Sequence, residues 1–320
     1  VIGVGVHGNS FLLGELVKVN FDGSIGKFLF VAFFIAFAIK APMVPVHTWL
    51  PDAAEQATPG ASTLLVGLLD KIGTLGMIRI CLGLFPQASQ WATPFVLVLA
   101  VISVLWGATM AVTSKDLMRL VSYTSVSHFG FMIIGIFAVT TTSLTGSIFY
   151  MFNHGFSTAA LFLVLGFLVK RRGSAQVDAF GGVQKTAPVL AGMFLFAGLA
   201  TMSLPGISNF IGEFMVLAGA WSRHPVYVAV ATLGMVLGAV YILLTYKRTM
   251  TGPLTQATKE HVTTDLTGLE KAALTPLVIL LLVFGFFPRP MLHVIEPVAH
   301  QTMSIVGVTD PAPAAEEGVK

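Results

Sequence analysis

Phe28-Leu29-Phe30-Val31-Ala32-Phe33-Phe34-Ile35-Ala36-Phe37-Ala38-Ile39-Lys40-Ala41-Pro42-Met43-Val44-Pro45 runs apolar without a break as far as a lysine, and then meets two prolines. Such a run suits a helix that crosses hydrocarbon, where about 20 residues span ~30 Å. Counted from Lys27, Lys40 lies roughly 20 Å along that helix at ~1.5 Å per residue. A charge at the bilayer centre costs at least ~2.5–3.5 kcal/mol, so its depth argues against a lysine that merely snorkels to the interface. Pro42 and Pro45 remove backbone donors and free carbonyls, which a membrane tolerates only where the break is buried in protein or lines a wet cavity.

Four more long apolar stretches carry one ionisable or imidazole residue near the midpoint: Lys71, His128, His154 and Glu213. One such residue could be a structural hydrogen bond. Five at similar depth suggest a row of proton-binding sites lying in the membrane plane.

Composition sets the class. Of 320 residues, 55% are hydrophobic and only 10% charged, where a soluble domain carries about a quarter charged. The reading is an all-α polytopic membrane protein. A net charge of +3, with no basic stripe interleaved with aromatics, excludes a nucleic-acid binder. Cys81 stands alone, so disulfides and thiolate clusters within the chain are excluded. No metal-ligand spacing, nucleophile elbow or phosphate loop is found, and no cofactor or metal is expected in this chain. Gly3-Val4-Gly5-Val6-His7-Gly8 matches a dinucleotide fingerprint without the strand and helix that give it meaning. Gly234-Met235-Val236-Leu237-Gly238 reads as close helix packing.

Eight spans are expected, near 27–46, 60–84, 94–112, 117–139, 144–169, 187–221, 225–247 and 271–295, between a stub over 1–26 and a tail over 297–320. The sixth is too long for one straight crossing, and Leu204-Pro205-Gly206 falls inside it, where it breaks the helix. Alternation of these spans puts Lys115, Arg119, Lys170, Arg171, Arg172, Lys185, Lys247, Arg248, Lys259 and Lys271 on one side, the cytoplasmic one by the positive-inside rule. Asp52 and Glu55 fall in the same basic set of loops. The N-terminus, Val1-Ile2-Gly3-Val4, reads as the cut end of a helix in a longer protein.

The chemistry suits proton transfer. Lys71 follows Asp70, and helical counting turns Asp70 nearly opposite to Arg79 while Lys71 and Arg79 share a broad side; a buried structural Lys–Asp pair is the alternative. His128 lies in Ser125-Val126-Ser127-His128-Phe129-Gly130 and His154 in Asn153-His154-Gly155-Phe156-Ser157. Both set an imidazole, able to gain or lose a proton near neutrality, beside groups that can orient it. A lone histidine in a membrane helix more often serves packing; two between Lys71 and Glu213 point to a relay. Glu213 follows the Pro205-Gly206 break by about two turns, so each Pro-broken span carries a charge near its interruption, of opposite sign. Broken helices in corresponding halves mark ion pathways in repeat-built transporters.

These residues resemble a known family. Ala38-Ile39-Lys40-Ala41-Pro42, continuing through Pro45, His47 and Trp49-Leu50-Pro51-Asp52-Ala53, is similar to the signature of the antiporter-like subunits of respiratory complex I. That family is related to subunits of multisubunit sodium/proton antiporters and membrane-bound hydrogenases. Leu68-Leu69-Asp70-Lys71-Ile72-Gly73, Asp116-Leu117-Met118-Arg119-Leu120, Tyr123, Ser125, Ser127, His128, Gly130 and His154-Gly155 agree with it, as do Pro205-Gly206 and Phe210, Gly212, Glu213 and Phe214.

The resemblance implies an inverted-repeat fold, with this chain starting near the seventh helix of a larger subunit. It implies that Lys40 exchanges protons with a glutamate upstream of Val1, that Lys71 and His128 carry charge along the midplane with His154 in support, and that Glu213 is the terminal site. At that position most relatives carry lysine, and glutamate singles out one branch of the complex I subunits. Asp70 departs from the apolar residue usual before Lys71, a change expected to alter the lysine's titration; His47 is a second candidate modulator. NADH, FMN, iron–sulfur clusters and quinone are expected in partner subunits, and the partners are other membrane subunits, including neighbouring antiporter-like ones, and the lipid bilayer of a bacterial inner membrane. The alternative is a subunit of a sodium/proton antiporter or membrane-bound hydrogenase.

Overall fold

The computed structural model describes residues 11–19, 21 and 23–310. The glycine run Gly3–Gly8, the start of the expected stub and the end of the expected tail lie outside them. Among the described residues the architecture is all-helical, apart from one isolated backbone bridge between Asp116 and Gln176. After a single turn at Leu13–Leu16, α1 covers Gly23–Lys40 and α2 Trp49–Gln56. The third element, α3, is a composite: Pro59–Leu64 and Lys71–Gly76 are α-helical, while Leu65–Leu69 and Met77–Leu82 are wider π turns. Next come α4 (Pro86–Thr113), α5 (Leu117–Phe137) and α6 (Thr141–Arg172), then α7 (Pro188–Thr201), α8 (Ser208–Trp221) and α9 (Pro225–Thr249). A short α10 (Gln256–His261) precedes α11 (Gly268–Phe286) and α12 (Arg289–Val306).

Six of these helices, α1, α4, α5, α6, α9 and α11, are each long and apolar enough to cross a membrane. Eight spans were expected, and the difference has a physical source. The stretches 60–84 and 187–221 are built of pieces: π turns divide the first, and the second stops at Thr201 and restarts at Ser208, with Pro205 and Gly206 in the link. The expected eighth span also differs, since α11 ends at Phe286 and α12 carries the helix on past the expected tail boundary to Val306.

The central helix is α5, buried along its whole length except at Arg119. It is packed between α4 and α6, with α2 and α8 also against it. The 32-residue α6, about 48 Å long, is the other axis and touches α3, α5, α7, α8, α11 and α12. Lipid is as apolar as these side chains, so helix association rests on close packing and interhelical hydrogen bonds. A methyl group at Gly212 of α8 would lie 2.7 Å from Cβ of Tyr150 on α6; only a glycine lets the two backbones come so near. Gly234 likewise lets α9 lie against Val104 of α4 and Phe131 of α5.

Polar fastenings sit at the two ends. At the basic end, Arg119 donates to Asp52 (2.7 Å) and to Glu55 (2.8 Å), which accounts for two acids among basic loops. Arg171 grips Glu270 with two bonds, at 2.9 and 2.6 Å, and also donates to the carbonyls of Thr264, Asp265 and Phe167. The Asp265 carboxylate accepts from the amides of Val189 and Leu190 at the start of α7. At the other end Thr141 N donates to Asp310, Arg223 to the Thr309 carbonyl and Gln90 to the Val306 carbonyl.

Candidate proton-transfer site

Both interruptions deliver a charged residue. Helix α1 stops at Lys40, so the lysine stands at a helix C-terminus, the end at which a cation is favoured. The following break is buried at its start, with Ala41 fully enclosed and Met43 at 1% exposure, and reaches the surface at Pro45; the Val44 amide donates to Ser103 Oγ on α4 at 2.9 Å. That bond and the Met43 N to Ala38 O contact (3.0 Å) occupy backbone groups freed by the prolines. The second break holds Ser203 at φ 58° and Gly206 at φ 94°, a left-handed region that costs a serine free energy. It aims the Ser203 hydroxyl at the Glu213 carboxylate in the second turn of α8.

Lys40 Nζ lies 3.2 Å from Asp70 Oδ1 and 5.2 Å from the Trp49 ring centre. Asp70 is wholly buried, whereas the Lys40 side chain keeps 33% of its surface exposed. The lysine's partner, expected upstream of the chain, is thus matched by an acid inside it. Asp70, Gly73 and Gly76 recur at i, i+3 and i+6 on one face of α3. A methyl on Gly73 would stand 2.7 Å from the Phe37 carbonyl, and Gly76 faces the Phe37 ring. Those two glycines bring α3 onto α1 and set Asp70 beside Lys40. That spacing was visible in the sequence and is the signal that would have found the pair.

On its other side α3 meets α6. Gly67 and Gly155 pack backbone to backbone, a methyl on Gly155 falling 2.7 Å from the Gly67 carbonyl. Lys71 Nζ there donates to the Val66 carbonyl at 2.6 Å and lies 2.9 Å from His154 Nδ1. The π turn Leu65–Leu69, in which Asp70 N bonds to Leu65 O, sets the carbonyl row out of α-helical register just ahead of this lysine. Such turns are frequent at functional sites. Because lysine donates, His154 Nδ1 accepts, which leaves Nε2 to carry the hydrogen toward Thr158 Oγ1 at 3.1 Å.

From His154 the line continues through rings. The His154 and His128 ring centres are 5.1 Å apart, edge to face. His128 Nε2 lies 3.3 Å from Tyr241 Oη, and its ring lies 6.0 Å from that of Tyr150. Tyr150 donates to Glu213 Oε2 at 3.2 Å. His128, Tyr241 and Glu213 also line one small cavity with Thr201 and Ser127. Its volume, about 10 Å³ for the centre of a water-sized sphere, is enough for a single water.

Of the predicted residues, Lys71, His154 and His128 are in direct succession, Glu213 joins them through Tyr150, and Lys40, a third exposed, is bonded to Asp70 instead. Tyr150, Tyr241, Ser203 and Thr158 were not anticipated; all are neutral, and hydropathy gives no sign of them. His47 stands aside: its ring meets Tyr123 at 6.4 Å, and its Nδ1 has no hydrogen-bond partner among the described residues. No cluster of three His, Cys, Asp or Glu side chains able to hold a metal occurs among the described residues.

A family profile described as NADH:quinone oxidoreductase/Mrp antiporter, transmembrane, matches residues 6–238. The chain belongs to this family. Within it, the chain is 49% identical over 298 residues to NADH-quinone oxidoreductase subunit M of Mycobacterium tuberculosis, covering 93% of this chain and 54% of that protein. To subunit M of Rickettsia prowazekii it is 41% identical over 268 residues, again 54% of that protein. The chain spans about half the length of the curated relatives it matches. Respiratory complex I from Thermus thermophilus contains a chain that superposes with a TM-score of 0.88 at 31% identity, over 96% of this chain and 65% of that one. The Mrp complex of Dietzia shares the fold, with a TM-score of 0.82 at 22% identity, over 95% of this chain and 66% of that one. In this family member, therefore, the contacts from Lys71 to Glu213 lie within an antiporter-type membrane fold.

Proposed function

We propose that this chain is part of subunit M, a proton-translocating, antiporter-like membrane subunit of an NADH:quinone oxidoreductase. The branch that keeps glutamate at 213 is the M subunit, and the relatives carry that name. The observation that carries the reading is the unbroken series Lys71–His154–His128–Tyr150–Glu213, in which each side chain lies within bonding or ring-contact distance of the next. Such a series of titratable and hydroxyl groups suits the transfer of protons. Redox chemistry then belongs to partner subunits that hold NADH, FMN, iron–sulfur clusters and quinone.

In this reading the chain crosses a bacterial inner membrane eight times, α3 and the α7–α8 pair each counting as one crossing, with the Pro-broken crossings at α1 and α7–α8. The basic loops face the cytoplasm. Moving one charge against 100 mV costs about 2.3 kcal/mol, which quinone reduction elsewhere in the complex must supply. Coupling is electrostatic: a proton gained at one site changes how readily its neighbour holds one. Glu213, held by Tyr150 and Ser203 beside the cavity, is the terminal site.

The test is Glu213→Gln in the full-length protein, with NADH-driven quinone reduction and proton uptake followed in inverted vesicles. Loss of both in an assembled complex supports the reading. Unchanged rates would overturn it and favour a sodium/proton antiporter, to be checked by sodium-dependent proton exchange.

A further inference from the structure

Among the described residues Asp70 is the one carboxylate bonded to Lys40, and it precedes Lys71 in the chain. Its burial is complete, Oδ1 is taken by Lys40, and Oδ2 has no hydrogen-bond partner among the described residues. A buried carboxylate oxygen with no donor is costly, and native structures keep few of them. Helix α3 holds this acid between two different contacts. The Asp70, Gly73 and Gly76 face lies on α1, and the Gly67 and Lys71 side lies on α6. Lys40 and His154 sit on separate helices, and among the described residues α3 is the only element whose side chains bond to both.

We propose that Asp70 is a proton-carrying group that joins Lys40 to Lys71, an assignment that rests on the proton-translocation reading above. In the first step the Lys40 ammonium gives a proton to Asp70: one N–H bond breaks, one O–H bond forms, and an ion pair becomes a neutral amine beside a neutral acid. In the second, the acid's proton crosses the gap to the Lys71 amine, with which Asp70 makes no direct bond among the described residues, so the carboxylate is restored and Lys71 becomes an ammonium. One proton has moved from Lys40 to Lys71, and the summed charge of the three groups is unchanged throughout.

The contacts of Lys71 fit this part. A neutral amine has two N–H bonds and one lone pair. The Val66 carbonyl and His154 Nδ1 use the two N–H bonds, and the lone pair remains to accept. As an ammonium, Lys71 has a third hydrogen to pass on. A lysine pinned only for structure has no use for that free position.

Asp70→Asn, Asp70→Glu and the double variant Lys40→Ala/Asp70→Ala, made in the full-length subunit and assayed in the whole complex, decide the matter. Proton uptake in inverted vesicles during NADH oxidation should fall about tenfold in Asp70→Asn, equal to ~1.4 kcal/mol on the barrier, and return in Asp70→Glu with a shifted pH profile. The double variant should be as impaired as the single one. Recovery of uptake in the double variant, or normal uptake in Asp70→Asn, would show that the pair only neutralises charge and would overturn the assignment. Failure of both Asp70→Asn and Asp70→Glu to assemble also counts against it, because a relay asks only for a carboxyl group at that place. Glu213→Gln run in parallel separates the two ideas. If it is impaired while Asp70→Asn is normal, only the Asp70 assignment fails; if neither is impaired, proton translocation by this chain fails as well.

Discussion

Lys71 and His154, 83 positions apart in the chain, meet at 2.9 Å because Gly67 and Gly155 let their helices touch backbone to backbone. With Lys71 donating, Nδ1 of His154 accepts and Nε2 carries the hydrogen. The contact also separates charge from titration as the property that matters at position 71. Arginine keeps the charge and cannot give up its proton in a protein. Lys71→Arg should therefore reduce NADH-driven proton uptake nearly as far as Lys71→Ala, each by about tenfold or more. Retention of uptake in Lys71→Arg alone, measured in inverted vesicles, would reduce Lys71 to a fixed counter-charge.

Tyr150 stands between His128 and Glu213, its ring near one and its hydroxyl on the other. Tyr150→Phe keeps the ring and the packing and removes one bond to a carboxyl group, worth roughly 1.5–3 kcal/mol. Proton uptake should fall by about tenfold with the amount of assembled complex unchanged. Ser203→Ala, which removes the other hydroxyl on Glu213, should act in the same direction. Normal uptake in both single variants, read with the same vesicle assay, would remove the hydroxyls from the pathway.

Gly212 answers to a different force. A methyl group there meets Tyr150 Cα at 2.8 Å and Cβ at 2.7 Å, so Gly212→Ala must push α8 from α6. Overpacking of this kind costs about 1–3 kcal/mol. The purified variant should aggregate at a lower temperature in detergent than the unmodified protein, with no change in the pH profile of whatever activity survives. An unshifted melting profile would mean that α8 is free to move away from α6.

Arg171 makes five bonds, two to Glu270 and three to carbonyls. Lysine cannot reproduce that fork. Arg171→Lys should lower stability by about 2 kcal/mol or more, seen as reduced abundance in membranes with turnover per complex unchanged. Loss of turnover at full abundance would place Arg171 in the conducting path instead.

Much of this site was legible in the residues, and the limits have physical causes. A lysine, a histidine or a glutamate inside an apolar run is conspicuous because hydrocarbon penalises it, so these five residues stood out from the sequence alone as candidates. Prolines at 42, 45 and 205 marked where α1 and α7 end. The π turns in α3 carry no proline and no change of composition, so 60–84 read as one even helix. Tyr150 and Tyr241 were missed because a tyrosine in an apolar run is indistinguishable from packing until its hydroxyl has a partner. Asp70 was read through its neighbour Lys71, whereas its partner lies 30 residues back on another helix. Its angular relation to Arg79 was nonetheless informative: Asp70 turns into the protein, and Arg79 is exposed.

The fastenings at the two ends and the polar line at mid-depth share almost no residues. Arg119, Arg171 and Asp265 hold the basic end, and Asp310, Arg223 and Gln90 the other. Inherited variation in this protein should for that reason sort into two kinds. On the proposed reading, changes near either rim will deplete the subunit and leave each surviving copy competent, whereas changes along the polar line will leave a full complement of copies in which quinone reduction and proton uptake fall together. A strain carrying the first kind can be rescued by making more protein; a strain carrying the second cannot.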